Sequence, residues 1–183
     1  MKIRFERKFL QRDFEWFFVI LGSGGLFFGA LFYQYFFDMQ PCYLCIQQRA
    51  LVFGVFLTSS IGYALHLNKI HSPTLGAKIP LVISILLTIV FSSYAMDIAA
   101  SHIDSASAGE FSYLFSSCGT GSPFPSWLAL DDWFPSVFGV KGSCDGELAK
   151  AFGIDMPEYI KFFSVLATVL CCVKLFMAFK DKE

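Results

Sequence analysis

Four long apolar runs set what this 183-residue chain can fold into. From Trp16 to Phe37 no residue is charged. A helix rises 1.5 Å per residue, so this run reaches roughly 33 Å, enough to cross a bilayer. Further runs extend from Ala50 to about Leu67, from Ile79 to Ala100 and from Tyr159 to Phe179. Hydrophobic residues make up 55% of the chain, and the apolar excess sits in these blocks. A bilayer core offers backbone N–H and C=O groups no water, so each run must be helical. The expected fold class is therefore an all-α membrane protein, a four-transmembrane-helix bundle. One integral domain is expected over 1–183, with spans at about 16–37, 46–67, 79–100 and 159–179. The first run ends in Phe32, Tyr33, Gln34, Tyr35, Phe36 and Phe37 rather than in small residues, so it reads as a retained anchor and not a cleaved signal. Gly25 and Gly29 form a G-x-x-x-G, a hint of close helix packing.

The charges orient the spans. Lys2, Arg4, Arg7, Lys8 and Arg12 precede the first run, and Lys69 and Lys78 flank the basic loop between the second and third. Four spans put these segments and the C-terminal tail on one side, and loops 38–45 and 101–158 on the other. The positive-inside rule makes the basic side cytoplasmic, so both loops face outward. Loop 101–158 is acidic, with Asp104, Glu110, Asp131, Asp132, Asp145, Glu147, Asp155 and Glu158 against Lys141 and Lys150. Its stretch from Pro125 to Pro135 pairs Trp127 and Trp133 with acids, which suits a short helix lying on the membrane surface and equally one packed on the protein. Asp97, close to the far end of the third run, is expected at an interface. A net charge of −1 gives no footprint for nucleic acid.

Between the first two runs stands Pro41-Cys42-Tyr43-Leu44-Cys45-Ile46-Gln47-Gln48-Arg49. The C-x-x-C spacing suits a reversible disulfide, and half a zinc site uses the same spacing. The apolar run that follows places the motif on the first turn of a helix, with Pro41 in the lead-in. The positive end of the helix dipole favours a thiolate there. Arg49 lies four residues after Cys45, on the same helix face.

The chain has six cysteines. Cys42, Cys45, Cys118 and Cys144 fall in outward loops; Cys171 and Cys172 lie inside the fourth run, where they read as packing residues. Four outward cysteines allow three pairings, of which Cys42 with Cys45 and Cys118 with Cys144 is the simplest. A Cys118–Cys144 disulfide would close a loop of about 26 residues, worth roughly 3 kcal/mol as a staple. Cys118 sits among Ser116, Ser117, Gly119, Thr120, Gly121, Ser122 and Pro123, a segment open to thiol exchange. Thiolates compete poorly for metal in an oxidising space, and the 118–144 spacing is no usual zinc pattern. No metal and no nucleotide are expected.

The chain resembles the DsbB family of bacterial inner-membrane disulfide-forming proteins. The motif from Pro41 to Arg49 is similar to that family's first outward loop. Phe124-Pro125-Ser126-Trp127-Leu128, the stretch from Leu130 to Phe138, Gly142-Ser143-Cys144 and Met156-Pro157 are similar to its second. The likeness extends over nearly the whole chain, including span order. It implies a thiol:quinone oxidoreductase that reoxidises a periplasmic, thioredoxin-fold, DsbA-like partner and passes electrons to ubiquinone or menaquinone. It also implies that Cys118 forms the mixed disulfide with the partner and that Cys144 is its mate. Cys42 and Cys45 are then the pair beside the quinone, with Cys45 facing it and Arg49 assisting. The implied location is the bacterial inner membrane, with both termini cytoplasmic and both cysteine loops periplasmic. Gln48 stands where better-known members carry an acid. His102 is similar to a family histidine near the end of the third helix, but its distance to Cys118 differs and it receives no role.

Three other readings share some of these features. A DsbI-like paralogue would serve a dedicated partner. A vitamin K epoxide reductase-type enzyme usually carries its C-x-x-C late in the chain, whereas here it begins the second span. A non-enzymatic membrane protein would use both disulfides as staples.

Overall fold

The structure is a computed structural model that describes residues 2–71, 75–107, 121–142, 150–151 and 153–180. Four long helices dominate it: α1 (Lys2–Phe36), α2 (Tyr43–His71), α3 (Leu75–Ser107) and α6 (Met156–Lys180). Each contains a stretch long and apolar enough to cross a membrane: Phe14–Phe36, Tyr43–Leu67, Ile79–Asp104 and Met156–Phe176. Between α3 and α6 come a 3₁₀ turn (Ser126–Leu128), α4 (Leu130–Trp133) and α5 (Pro135–Phe138). A two-residue hairpin follows, β1 (Lys150–Ala151) against β2 (Ile154–Asp155), antiparallel in the register Lys150 opposite Asp155. Gly153 turns it at φ +83°, a conformation open to glycine without a Cβ clash.

Helix α2 packs on α3 and on α1, and α3 packs on α6. The bundle is apolar outside. Leu21, Phe28, Phe32, Ile61, Ile83, Val90, Phe162 and Phe176 are exposed, as a lipid-facing surface requires. Its interior is partly hydroxylic: Ser23, Ser59, Ser84, Thr88, Ser92 and Ser164 are buried. Three of these side chains join helices. Ser84 donates to the Thr58 carbonyl at 2.6 Å, Thr88 pairs with the Thr58 hydroxyl at 2.9 Å, and Ser92 donates to the Ser164 carbonyl at 2.8 Å. Small polar residues let spans approach closely and satisfy one another where lipid offers no partner.

The close approach expected at Gly25 and Gly29 is not found. A Cβ on Gly25 would meet nothing within 4 Å, and one on Gly29 would only touch Met156 at 3.8 Å. Tight crossings lie instead at Gly22, where a Cβ would overlap the Phe163 ring, and at Gly62, where one would lie 2.7 Å from both Ser84 Oγ and the Trp16 ring. A G-x-x-x-G spacing puts two glycines on one face, but a helix chooses its buried face by the packing of its large residues. Here Trp16, Val19, Ser23 and Phe27 turn inward instead. Asp97 is exposed on α3.

Two details place the motif at one end of the bundle. Asp38 leaves α1 at φ 50°, an end conformation that Asp and Asn tolerate. The chain then needs only Met39, Gln40, Pro41 and Cys42 to reach the start of α2. At that same end Phe138 of α5 is buried, its ring near those of Phe53 and Phe124. It joins a core cluster with Phe27, Ile46, Val52, Ala95, Ala99 and Ile160. The second loop is thus pinned onto the mouth of the bundle. By contrast Trp127, Trp133 and Phe134 stay exposed on that loop.

Candidate redox site

Cys42 is the residue before the first turn of α2. Its carbonyl accepts from Ile46 N–H at 3.1 Å, and its sulfur accepts from Cys45 N–H at 3.2 Å. The side chain therefore takes the N-cap role usually filled by Ser or Asp, satisfying a backbone donor that a helix start leaves free. Cys42 and Cys45 form a disulfide. Cys42 is 3% exposed, whereas Cys45 is half-buried and so the more accessible residue of the pair.

A histidine from another helix completes this arrangement. His102, in the last turns of α3 and 1% exposed, places Nε2 3.6 Å from Cys42 Sγ. Gln48 Nε2 lies 3.2 Å from His102 Nδ1 and 3.5 Å from the Ile98 carbonyl oxygen. A carbonyl only accepts, so the Gln48 amide turns its NH₂ toward both neighbours. Nδ1 is then the acceptor, and the ring proton sits on Nε2, which donates toward Cys42 Sγ. This assignment follows from the hydrogen-bond network. Cys42 thus receives two N–H groups, one from its own helix start and one from α3.

Arg49 faces the other way. It is 5% exposed, and its Nη1 donates to Gln34 Oε1 of α1 at 2.6 Å and to the Val137 carbonyl of α5. Neither bond goes to a sulfur. Its Nε has no hydrogen-bond partner among the described residues. A buried guanidinium N–H left free is costly and marks where a further acceptor belongs. Gln34 and Tyr35 also donate to the Ser136 carbonyl, at 2.9 and 2.8 Å. The Pro41 carbonyl receives Lys141 N–H and Gly142 N–H, both at 3.0 Å. A Cβ on Gly142 would overlap the Gln40 carbonyl oxygen, so only glycine fits there.

Of the residues singled out by sequence, the structure joins Cys42 to Cys45, while Arg49 is directed to α1 and α5. Cys118 and Cys144 lie outside the described residues. Sequence reasoning assigned nothing to His102, and it left the effect of Gln48 open; the structure joins the two. A histidine where the third apolar run ends, on the same side as the C-x-x-C, was the available signal. Cys171 is buried and Cys172 exposed, both free thiols within the fourth span.

Four membrane-spanning helices with a disulfide at the start of the second, half-open to its surroundings and held by donors from neighbouring elements, define a multi-pass membrane protein of the disulfide-oxidoreductase class. The family described as "Disulfide bond formation protein DsbB" matches residues 12–174. The chain belongs to that family. It is 29% identical over 153 residues to a "Disulfide bond formation protein B" of Shewanella loihica, covering 84% of this chain and 82% of that one. The Shewanella amazonensis protein of the same name is 30% identical over 158 residues, 86% of each chain. That of Photorhabdus laumondii is 27% identical over 182 residues, 98% of this chain and 99% of the relative.

Proposed function

We propose that the protein lies in the bacterial inner membrane with both termini cytoplasmic, reoxidises a periplasmic DsbA-like thiol oxidase, and delivers the electrons to ubiquinone or menaquinone. The observation that carries this reading is the docking of the second loop on the C-x-x-C. The Pro41 carbonyl, next to Cys42, holds the N–H groups of Lys141 and Gly142, and Cys144 follows two residues later in sequence. Two residues of chain span at most roughly 7 Å, a short link that supports the reading of Cys144 as acting beside the C-x-x-C.

The exchange balances as follows. The partner's two thiols become a disulfide while Cys118–Cys144 becomes a dithiol. That dithiol is oxidised in turn as Cys42–Cys45 is reduced. Each step is thiolate attack on a sulfur, with the other sulfur leaving. A quinone bound beside the pair supplies the final acceptor of two electrons and two protons. The free Nε donor of Arg49 suits a quinone carbonyl oxygen, and Cys45, the more accessible residue of the pair, suits the approach from that side. Gln34 and Val137 orient Arg49, and His102 with the Cys45 N–H holds Cys42.

The test uses purified protein with a reduced DsbA-type partner as electron source and quinone reduction as readout. A partner lacking its resolving cysteine is expected to become trapped as a mixed disulfide. Cys118→Ala should abolish the trapped species, and Cys42→Ala should not. An adduct that maps to Cys144 would overturn the order of exchange. No quinone reduction at all would reduce both disulfides to staples.

A further inference from the structure

We propose that the reduced Cys42–Cys45 pair and His102 form a site for a thiophilic divalent cation of the Zn²⁺ type, closed by the disulfide and opened by its reduction. The two sulfurs and an imidazole nitrogen lie within 4.8 Å of one another, and the three residues come from the start of α2, its cap included, and the end of α3. With Zn–S near 2.3 Å and Zn–N near 2.0–2.1 Å, the S-to-N edge of a tetrahedral site is roughly 3.5–3.6 Å. Cys42 Sγ and His102 Nε2 already stand 3.6 Å apart. Only Cys45 Sγ has to move, to a sulfur–sulfur edge of roughly 3.8 Å, once the S–S bond is gone. Three protein ligands leave the fourth position to water.

Charge favours the same conclusion. Two thiolates cancel a dication, and the imidazole is neutral, so the filled site carries no net charge. That matters where Cys42 is 3% and His102 1% exposed, because an uncompensated buried charge is expensive. Gln48 serves this state too. Metal on Nε2 moves the ring proton to Nδ1, and a half-turn of the terminal amide presents Oε1 to accept it. Metal-bound histidines are commonly held in this way. The amide then gives up only the 3.5 Å contact to Ile98. A side chain with a donor at one end and an acceptor at the other fits both states.

The balance is simple. Reduction of the disulfide takes up two electrons and two protons. Metal binding releases the two thiol protons and transfers no electrons. The oxidised pair has no thiolate to offer, so the cation captures only the reduced protein. Inhibition of turnover by the cation rests on the function proposed above; binding itself does not.

The experiment uses full-length protein in lipid nanodiscs with Cys118→Ser, Cys144→Ser, Cys171→Ala and Cys172→Ala, which leaves the pair as the sole thiols. After reduction with a phosphine under anaerobic conditions, Co²⁺ is added as the spectroscopic probe. Tetrahedral d–d bands with a thiolate-to-cobalt absorption should appear at one equivalent and vanish when Zn²⁺ is added. The oxidised protein should show none of these bands, and this arm needs no further substitution. His102→Ala should weaken Co²⁺ binding by more than about tenfold, and Gln48→Ala by about tenfold. Equal binding to the oxidised protein, no tetrahedral spectrum in the reduced protein, or an unchanged affinity in His102→Ala would each overturn the site. Quinone reduction by the unsubstituted protein without metal is measured separately, so a failure of the proposed function is told apart from a failure of this one.

Discussion

The two ends of the bundle each bury a cysteine among polar groups, yet only one builds a site. At the end that carries residues 38–45, Cys42 sits where a helix begins, with donors arriving from α2 and α3, while Arg49 is held by α1 and α5. At the other end Cys171 sits in mid-helix beside Trp16, Leu81 and Ile85, near the Glu15–Lys174 ion pair at 2.8 Å. There its own backbone N–H is spent within the helix. Cys172 is adjacent in sequence, so it points about 100° away, onto the exposed side. The contrast shows that burial and cysteine content do not make a redox pair. A helix terminus does, because it frees backbone donors and brings chain crossings together.

The largest effect should come from breaking the outer pair itself. Cys42→Ala or Cys45→Ala should drop quinone-linked turnover to background, because neither sulfur can form the disulfide alone. Substantial turnover in either variant, measured as quinol produced from reduced partner, would erase the distinction between the two ends.

Arg49→Ala comes next. It removes a charged donor from a buried position, and a charge-assisted hydrogen bond is worth about 1.5–3 kcal/mol. That converts to roughly a 10- to 100-fold loss in kcat/KM for quinone, mostly as a raised KM. Quinone kinetics that match the parent would take Arg49 out of the site. The same substitution also removes the bonds to Gln34 and Val137, so a thermal melt belongs beside the kinetics.

Gly142→Ala sharpens the comparison by undocking the second loop while leaving every cysteine in place. The added methyl would overlap the Gln40 carbonyl, so the bonds from Lys141 and Gly142 to Pro41 should be lost. At about 1 kcal/mol net for each of the two bonds, exchange between the two cysteine pairs should slow by roughly 30-fold. Trapping of the partner at Cys118 should be untouched. If overall turnover is unchanged, the docking does not align the pairs.

Much of this was legible in the sequence, and for a definite reason. Span formation is decided by local apolar content, so the four runs read directly as helices. The helix-start position of Cys42 is likewise local, since it needs only an apolar run after a Pro-led loop. The spacing of Arg49 from Cys45 drew attention to it, but its bonds to Gln34 and Val137 depend on how α1 and α5 pack on α2 and were not legible. The meeting of His102 with Cys42 was not legible, because it depends on how α3 packs on α2, far apart in sequence. The Gly25–Gly29 spacing misled for the same reason: it names a face but not whether packing buries that face. Cys118 and Cys144 remain where the sequence reading put them, as proposed members of the site.

The smallest effect is expected at the far end. Replacing both Cys171 and Cys172 with Ala removes one buried thiol and one exposed thiol. The buried change costs the packing of a single sulfur, about 1 kcal/mol by the scale for deleting a methylene-sized group. The exposed change should lie within about 0.5 kcal/mol. Neither side chain touches the outer pair, so partner oxidation and quinone reduction should stay close to the parent values in a variant that folds normally. A clear fall in turnover with an unchanged melting temperature would show that electrons pass through the fourth span. The two ends would then be parts of one redox path, and the contrast drawn between them would fail.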